Sequence, residues 1–572
     1  MNRLSKINQL KKWYWLLAYP YWLSEEKWKA LGILLIIIFL IVSTASLIGS
    51  LNELEGKFIT ALSDRKQSQF YRLLLLTTAL SIINLILVAL KYFALDKLGL
   101  YWQQWLTEYF LKSYCQKDSF YLINNNEDID NPDQRISEDI KTFIDQNYLI
   151  ISLLETTVRG FLFIGILASI NIYLVIFAFI AAIIKIALTF TIGKVLTSLN
   201  YQNLKRQANF RYSLIQSRNH SESIALYGGQ DREFRSISKR FRAAIAILHQ
   251  MIMPNSILSA SGQFISTILG LILVLILAPS FFKGEISIGD VTRSQSAFFS
   301  VLSSFTWIAG NFKELSLFAV VIKRLGKLQE LFHQPNSVAE LNRSNRISFA
   351  QKKWFDFVNV TLQTPDEERT LIEDLSITIP QETSMLITGD SGIGKSSLVK
   401  AIAGLWTTGT GCIARPKLEE IFFLPQRPYF VIGSLQDQML YPHSNNFTTK
   451  ELKKILIKVN FENIIERIGG LDVELDWYNL LSLGEQQKLA FVRLFLSKKK
   501  YAVLDESTSA LDIESERYLY QLLQDSDITY ISVGHRHTLI PYHQNVLKLG
   551  RNAEWEAMSS EDYRKRTRIY FQ

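Results

Sequence analysis

The chain reads as two domains of different fold class: an α-helical membrane domain of six spans, then an α/β domain built around a phosphate-binding loop. Three observations predict this. Nearly all the long apolar runs lie in the first 330 of 572 residues. Gly389-Asp390-Ser391-Gly392-Ile393-Gly394-Lys395-Ser396 fits G-x-x-x-x-G-K-[ST], between an apolar strand-like segment at 385–387 and a helix-compatible run at 397–403. Further on, the apolar segment 501–504 ends on two carboxylates, Asp505 and Glu506.

The elements divide the chain into an interfacial "elbow" helix at 1–28, a six-helix membrane domain at 29–332, a linker at 333–346 and a soluble α/β domain at 347–572. Pro335, Asn336, Ser337 and the polar run 342–346 mark the linker. The first segment carries Lys11, Lys12, Trp13, Tyr14, Trp15, Tyr19, Tyr21 and Trp22. That composition suits a helix lying at headgroup depth. No small-residue cleavage site trails the next apolar run, so the segment does not read as a removable signal.

Six stretches are long and apolar enough to cross a core about 30 Å thick: 31–48, 73–90, 149–170, 173–196, 257–278 and the more polar 291–321. Between the fourth and fifth stand Lys205, Arg206, Arg211, Arg218, Arg232, Arg235, Lys239, Arg240 and Arg242. The positive-inside rule puts this segment, the basic N-terminus and the soluble domain in the cytoplasm. The net charge of +9 is thereby explained by cytoplasmic loops, and no nucleic-acid-binding motif is present. The two cysteines, Cys115 and Cys412, lie in different domains and build neither a disulfide framework nor a zinc site.

Charges interrupt the spans at Glu155, Arg159, Lys185, Lys313 and Glu314. Glu155 and Arg159 are one helical turn apart and can pair; the alternative is that they face a hydrated pathway. Ser294, Ser296, Ser300, Ser303, Ser304 and Asn311 give the sixth span a polar face. Helices buried among helices also carry serines.

In the soluble domain the glycines let backbone N–H groups wrap phosphate oxygens at a helix N-terminus. Lys395 can reach the β- and γ-phosphates and the Ser396 hydroxyl can ligate Mg²⁺. Gln426, in Phe423-Leu-Pro-Gln426, can touch Mg²⁺ and the attacking water from a movable loop. Asp505 suits Mg²⁺ through water, and Glu506 suits polarising the hydrolytic water. His535 stands at the end of another strand-like run, 531–533.

In this order the pieces resemble the nucleotide-binding domain of an ABC transporter, with P-loop, Q-loop at Gln426, signature at Leu481-Ser482-Leu483-Gly484-Glu485-Gln486-Gln487, Walker B at 501–506, D-loop at 509–512 and H-switch at His535. The wording of 423–429, of Asp476-Trp477, and of the membrane-domain stretches 130–136 and 218–231 is similar to the SbmA/BacA-like and peroxisomal fatty-acyl branch. The resemblance implies a type IV, exporter-like half-transporter in a bacterial inner membrane. Two identical chains would enclose two ATP and Mg²⁺ between one chain's P-loop (389–396, with Ser397) and the other's Ser482, Gly484 and Glu485, with Asp512 beside them. Glu506, His535 and Gln426 would be the catalytic set, and Ser396, Gln426 and Asp505 the metal set. Arg218–Asp231 would lie near a coupling helix.

Three departures stand out. Thr364 falls where many such domains stack an aromatic on adenine, leaving Trp354 and Phe355 as candidates by proximity. Leu483 replaces a glycine and Glu485 a glutamine. The implied activity is ATP-driven import of a hydrophilic solute such as a peptide or cobalamin. Transport of fatty acyl-CoA or lipid, or a proton-coupled carrier with Glu155 as proton site, are the alternatives.

Overall fold

The computed structural model describes residues 3–116, 123, 132–333, 346–443 and 447–567. It separates into two compact units, Met1–Pro335 and Asn336–Gln572. The linker residues 334–345 and positions 130 and 131 of the first loop motif lie outside the described residues.

Among the described residues the first unit holds only helices and the turns between them. Its long helices are α1 (Arg3–Trp22), α2 (Lys27–Ser63), α3 (Gln67–Tyr114), α4 (Ile140–Ile170), α5 (Ile172–Asn219), α6 (Gln230–Phe282), α7 (Ile288–Gly310) and α8 (Phe312–His333). A short helix, Ser221–Leu226, joins α5 to α6. Five helices carry windows apolar enough to cross a membrane, or six spans if the bent pair α7–α8 is one. Many large apolar side chains face outward on these helices, among them Phe39, Leu75, Phe161 and Leu275. Such a surface is stable only against lipid or another subunit.

The sixth span differs from expectation: it bends by 42° between Gly310 and Phe312. Asn311 ends α7 outside the helical region and donates its side-chain amide to the Trp307 carbonyl at 2.8 Å. The serines also return their hydroxyls to their own helix. Ser294 donates to Asp290 O at 2.7 Å, and Ser300 and Ser304 to the carbonyls four residues back at 2.9 Å. This backbone satisfaction explains how so many hydroxyls sit in an apolar helix.

Two aromatic and aliphatic clusters hold the bundle. One gathers α1, α3, α4 and α8 around Trp13, Tyr21, Trp102, Phe143 and Leu325, with Tyr21 stacked on Trp102 at 5.4 Å. The elbow α1 therefore buries one face in the bundle while Trp15 and Tyr19 remain exposed. Gly326 makes room for it: a Cβ there would stand 2.5 Å from Trp13 Cγ. The other cluster joins α4, α5, α6 and α7 around Phe163, Leu174, Leu273 and Phe298. Near the other end of α2, Gly56 and Gly289 of α7 meet backbone to backbone, since a Cβ on Gly289 would lie 1.9 Å from Gly56 O.

Within the bundle Glu155 does pair with Arg159 (2.9 Å), and it also accepts from Lys91 at 2.8 Å. Lys91 is buried. One carboxylate thus serves two cations. Lys185 is half-buried on α5 and lies outside this group.

The second unit holds two sheets. The smaller runs β1 (Ser348–Gln351), β5 (Gly409–Arg415), β2 (Phe355–Gln363), β3 (Thr370–Ile379). The larger runs β10 (Trp555–Ser559), β9 (Asn545–Leu549), β4 (Ser384–Thr388), β8 (Thr529–Val533), β7 (Tyr501–Asp505), β6 (Ile421–Leu424). Its strands are parallel except β10. Alternate residues feed opposite cores. Leu386, Leu504, Tyr530 and Val546 face a helical layer containing α10 (Leu483–Ser497) and α11 (Ile513–Gln524). Ile387, Val503, Ile531 and Leu547 face the smaller sheet and α9 (Lys395–Ala403). Burial on both faces is why these strands read as unbroken apolar runs.

His543 is wholly buried against Tyr520 and Tyr530, with ring centroids 5.5 and 5.2 Å away. Burial pushes its pKa down to about 4. The unfolded chain therefore takes up the proton first as pH falls, so this contribution is complete above about pH 6.5 and drains away toward pH 4. Denaturant unfolding of the second unit should show about 2 kcal/mol less stability at pH 5 than at pH 7.5 from this group. His543→Phe should remove that part of the pH dependence.

Candidate nucleotide-binding and hydrolysis site

The parallel register brings four loops to one sheet edge. Ile387 pairs with Val533, Asp505 with the same Val533, and Leu424 with Leu504. The residues leaving β4, β6, β7 and β8 therefore emerge side by side, at the carboxyl ends where open α/β sheets bind ligands.

After β4 the chain enters the P-loop with positive φ at Gly389 (148°), Gly392 (78°) and Gly394 (115°). At Gly389 a side chain is also sterically barred, because its Cβ would lie 2.4 Å from Leu549 O. Gly394 caps α9, whose first residue is Lys395. The buried Lys395 Nζ donates to the Gly389 and Asp390 carbonyls at 2.8 and 2.9 Å, at the mouth of the loop. Asp390 is bridged by Arg551 at 3.2 Å.

After β7, Glu506 takes a left-handed backbone (φ 46°). Its N–H donates to Val533 O at 3.0 Å, which anchors the turn to β8. Its carboxylate accepts from Gln426 Nε2 at 2.9 Å, and His535 Nδ1 stands 3.8 Å away. Next to it, Asp505 accepts from Ser396 Oγ at 3.0 Å. Burial raises the Asp505 pKa, against the lowering effect of Ser396 and despite the nearby lysines. A hydroxyl and a carboxylate side by side, next to a glycine loop of this kind, is a donor set that fits Mg²⁺. Among the described residues no group of three or more His, Cys, Asp or Glu could hold a metal ion by itself.

Ser396, Gln426, Asp505, Glu506 and His535 are thus brought together. Ser482, Gly484, Glu485 and Asp512 form a second group around the starts of α10 and α11. A Cβ on Gly484 would lie 3.1 Å from Ala510 O. Ser482 and Glu485 make a reciprocal capping box on α10, which supports the helix start. Glu485 also meets Arg467 at 2.5 Å. Burial acts to raise the Glu485 pKa, but Arg467 and the Ser482 amide outweigh it and hold the carboxyl below its ordinary value. Asp512 caps α11 by accepting from Ser515 N at 2.8 Å. Both acids therefore have helix-end work within the chain. Ser391, Ile393 and Ser397 complete the loop and the first turn of α9.

Phe355 cannot serve adenine. It is buried in the core against Tyr501, with centroids 5.8 Å apart. Trp354 is partly exposed. Thr364 closes its own turn by accepting from Arg369 N at 3.1 Å. A cavity of about 540 Å³ beside the P-loop is lined by Arg369, Leu371, Ile393 and Arg551.

Two buried polar residues make contacts that the sequence did not signal, although Gln487 lies in the signature segment. Glu516, 1% exposed, accepts from Thr508 (2.9 Å), Thr538 (2.5 Å) and Arg536 (3.3 Å). It thereby ties the segment after Glu506 to the one after His535. Gln487, fully buried, accepts from Ala510 N at 3.0 Å and donates to Ser509 Oγ at 3.2 Å and Gln426 O at 3.4 Å.

Two family models match: ABC transporter transmembrane region 2 over residues 19–281 and ABC transporter over residues 372–509. The chain belongs to the ABC transporters. It is 36% identical to an ABC transporter ATP-binding protein of Synechocystis, over 93% of this chain and 81% of that one. It is 33% identical to the chloroplastic ABC transporter D family member 2 of Arabidopsis thaliana, over 96% and 87%. Against the human lysosomal cobalamin transporter ABCD4 the identity is 30%, over 88% and 89%. More narrowly, then, it is a half-transporter of the D-family kind: a multi-pass membrane domain fused to an ATPase domain that binds ATP and couples its hydrolysis to transport.

Glu516→Ala leaves Arg536 and two threonines without their buried acceptor, and should destabilise the ATPase unit by roughly 3 kcal/mol. Denaturant unfolding of the purified chain measures this; a loss under 1 kcal/mol would refute the role given to Glu516.

Proposed function

We propose that two copies of this chain form an importer of hydrophilic solutes, of the type IV fold with six spans per chain, in a bacterial inner membrane. The observation that carries the reading is the separation of the nucleotide residues into two groups. Within one chain, the P-loop group ends at Glu506 and His535, while Ser482 and Gly484 stand at the start of α10. A head-to-tail pair of chains joins one group of each to the other group of its partner, which is the closed C₂ arrangement. The basic segment 205–242 and the basic N-terminus support a cytoplasmic ATPase and N-terminus.

In this reading Lys395, Ser397 and the P-loop amides hold the phosphates, while Ser396, Asp505 and Gln426 would hold Mg²⁺, which would supply positive charge against the phosphates. Glu506 polarises the attacking water, Gln426 orients it, and His535 faces the γ-phosphate. Ser482, Gly484 and Glu485 of the second chain, with Asp512, close the site. Positioning supplies most of the rate.

A hydrophilic solute is supported by Ser296 and Ser303, both exposed on α7. The relative that is named a cobalamin transporter supports the same class. The loop wording of 218–231 and 423–429 supports membership of the SbmA/BacA-like branch.

Glu506→Gln should retain ATP binding and lose at least about 100-fold in turnover, whereas Lys395→Ala should weaken nucleotide binding or turnover. Steady-state hydrolysis and fluorescent-nucleotide titration of the full chain read the two effects. Proteoliposomes of both orientations, given cobalamin, a proline-rich peptide or an acyl-CoA, test the substrate. ATP-dependent movement of cobalamin or the peptide toward the ATPase side is the expected outcome. Movement of acyl-CoA alone, or uptake driven by a pH gradient without ATP, would overturn the substrate reading.

A further inference from the structure

We propose that Gln487 is a positioning residue for ATP hydrolysis, setting Gln426 against Glu506 by clamping three segments at once. Its side chain is fully buried and all its polar atoms are used. The Nε2 donor reaches the Gln426 carbonyl at 3.4 Å and Ser509 Oγ at 3.2 Å, and Oε1 accepts from Ala510 N at 3.0 Å. Two of the three partners bond directly to Glu506. Gln426 donates its own amide to Glu506 at 2.9 Å. Ser509 donates its backbone N–H to Glu506 O at 3.1 Å. Gln487 itself sits in the first turns of α10, five residues beyond the Ser482 cap.

A primary amide is the group this position needs. It offers a donor on one side and an acceptor on the other, and burial makes an unpaired partner costly. Gln426 leaves β6 on an irregular segment with no strand partner of its own beyond Leu424. Its carbonyl is held by Gln487, so the direction of its side chain toward Glu506 depends on α10. The same amide holds Ala510, whose carbonyl packs against Gly484. A displacement of the α10 N-terminus is therefore transmitted to both sides of Glu506. On the reading that Ser482 and Gly484 cover the partner's nucleotide, Gln487 links that event to the chain's own catalytic carboxylate.

The test uses the full-length chain in nanodiscs. Gln487→Leu keeps the shape and removes all three bonds; Gln487→Glu keeps the Ala510 acceptor and loses the donors. Both should lower kcat for ATP at least tenfold, with KM and fluorescent-ATP affinity within threefold of wild type and the unfolding temperature little changed. In a Gln426→Ala background, which already lacks the amide toward Glu506, Gln487→Glu should cost less than a further twofold. Full kcat in a folded Gln487→Glu variant, a loss carried by KM and melting together, or multiplicative effects in the double variant would overturn the proposal. If Gln487→Leu does not fold, Gln487→Glu and the double variant decide. Failure of ATP hydrolysis in the wild-type chain would instead count against the ATPase reading itself.

Discussion

The ATPase unit depends on one constraint: the parallel register of β4, β6, β7 and β8. Parallel strands present all their carboxyl ends at one edge, and their side chains alternate between two cores. Tyr501, Val503 and Ile531 load one face and Ala502, Leu504 and Tyr530 the other. A slip of one residue in β7 would exchange those sets and carry Asp505 and Glu506 away from Ser396 and Gln426. The placement of these side chains is thus a by-product of packing the apolar residues behind them.

Upon that rigid edge sit parts of a different character. The turn after β7 is clamped from two directions, by the Gln487 amide on the α10 side and by the Glu516–Arg536 pair on the α11 side. Arg536 donates to the Leu511 and Ser509 carbonyls at 2.9 and 2.7 Å. The segment 509–511 is therefore a shared floor. Hydrogen bonds hold it from both sides while Leu511 packs into the core beneath, which gives the loops around Glu506 defined positions.

What was legible in the sequence follows from the same division. The P-loop, β7 and β8 were legible because glycines at fixed spacing and doubly buried strands leave unmistakable patterns. Spans one to five were legible from length and hydropathy, and the Glu155–Arg159 pairing from helical spacing. The bend at Asn311 was not, because an isolated glycine such as Gly310 is tolerated within many helices and does not by itself predict a break. Nor was the burial of α1, whose aromatics serve a membrane interface and a helix bundle equally well. Glu485 and Asp512 read as nucleotide contacts, yet both also cap helices. Gln487 and Glu516 were illegible as hubs, since a buried polar residue looks like a surface one until its partners are placed.

Glu506 stands in a left-handed backbone, a conformation that a β-branched residue adopts only with strain. Its neighbours at that turn are set by the N–H bond to Val533 and not by the carboxylate. Selection at this position therefore acts through two filters, one on chemistry and one on shape. Were a duplicated copy of this gene to lose hydrolysis by drift, the residues that enter 506 without disturbing the fold would be glycine, asparagine, aspartate and glutamine. A descendant with valine or isoleucine there would have had to rebuild the turn, so the shape of the loop narrows the paths by which a transporter of this kind can decay into a silent subunit.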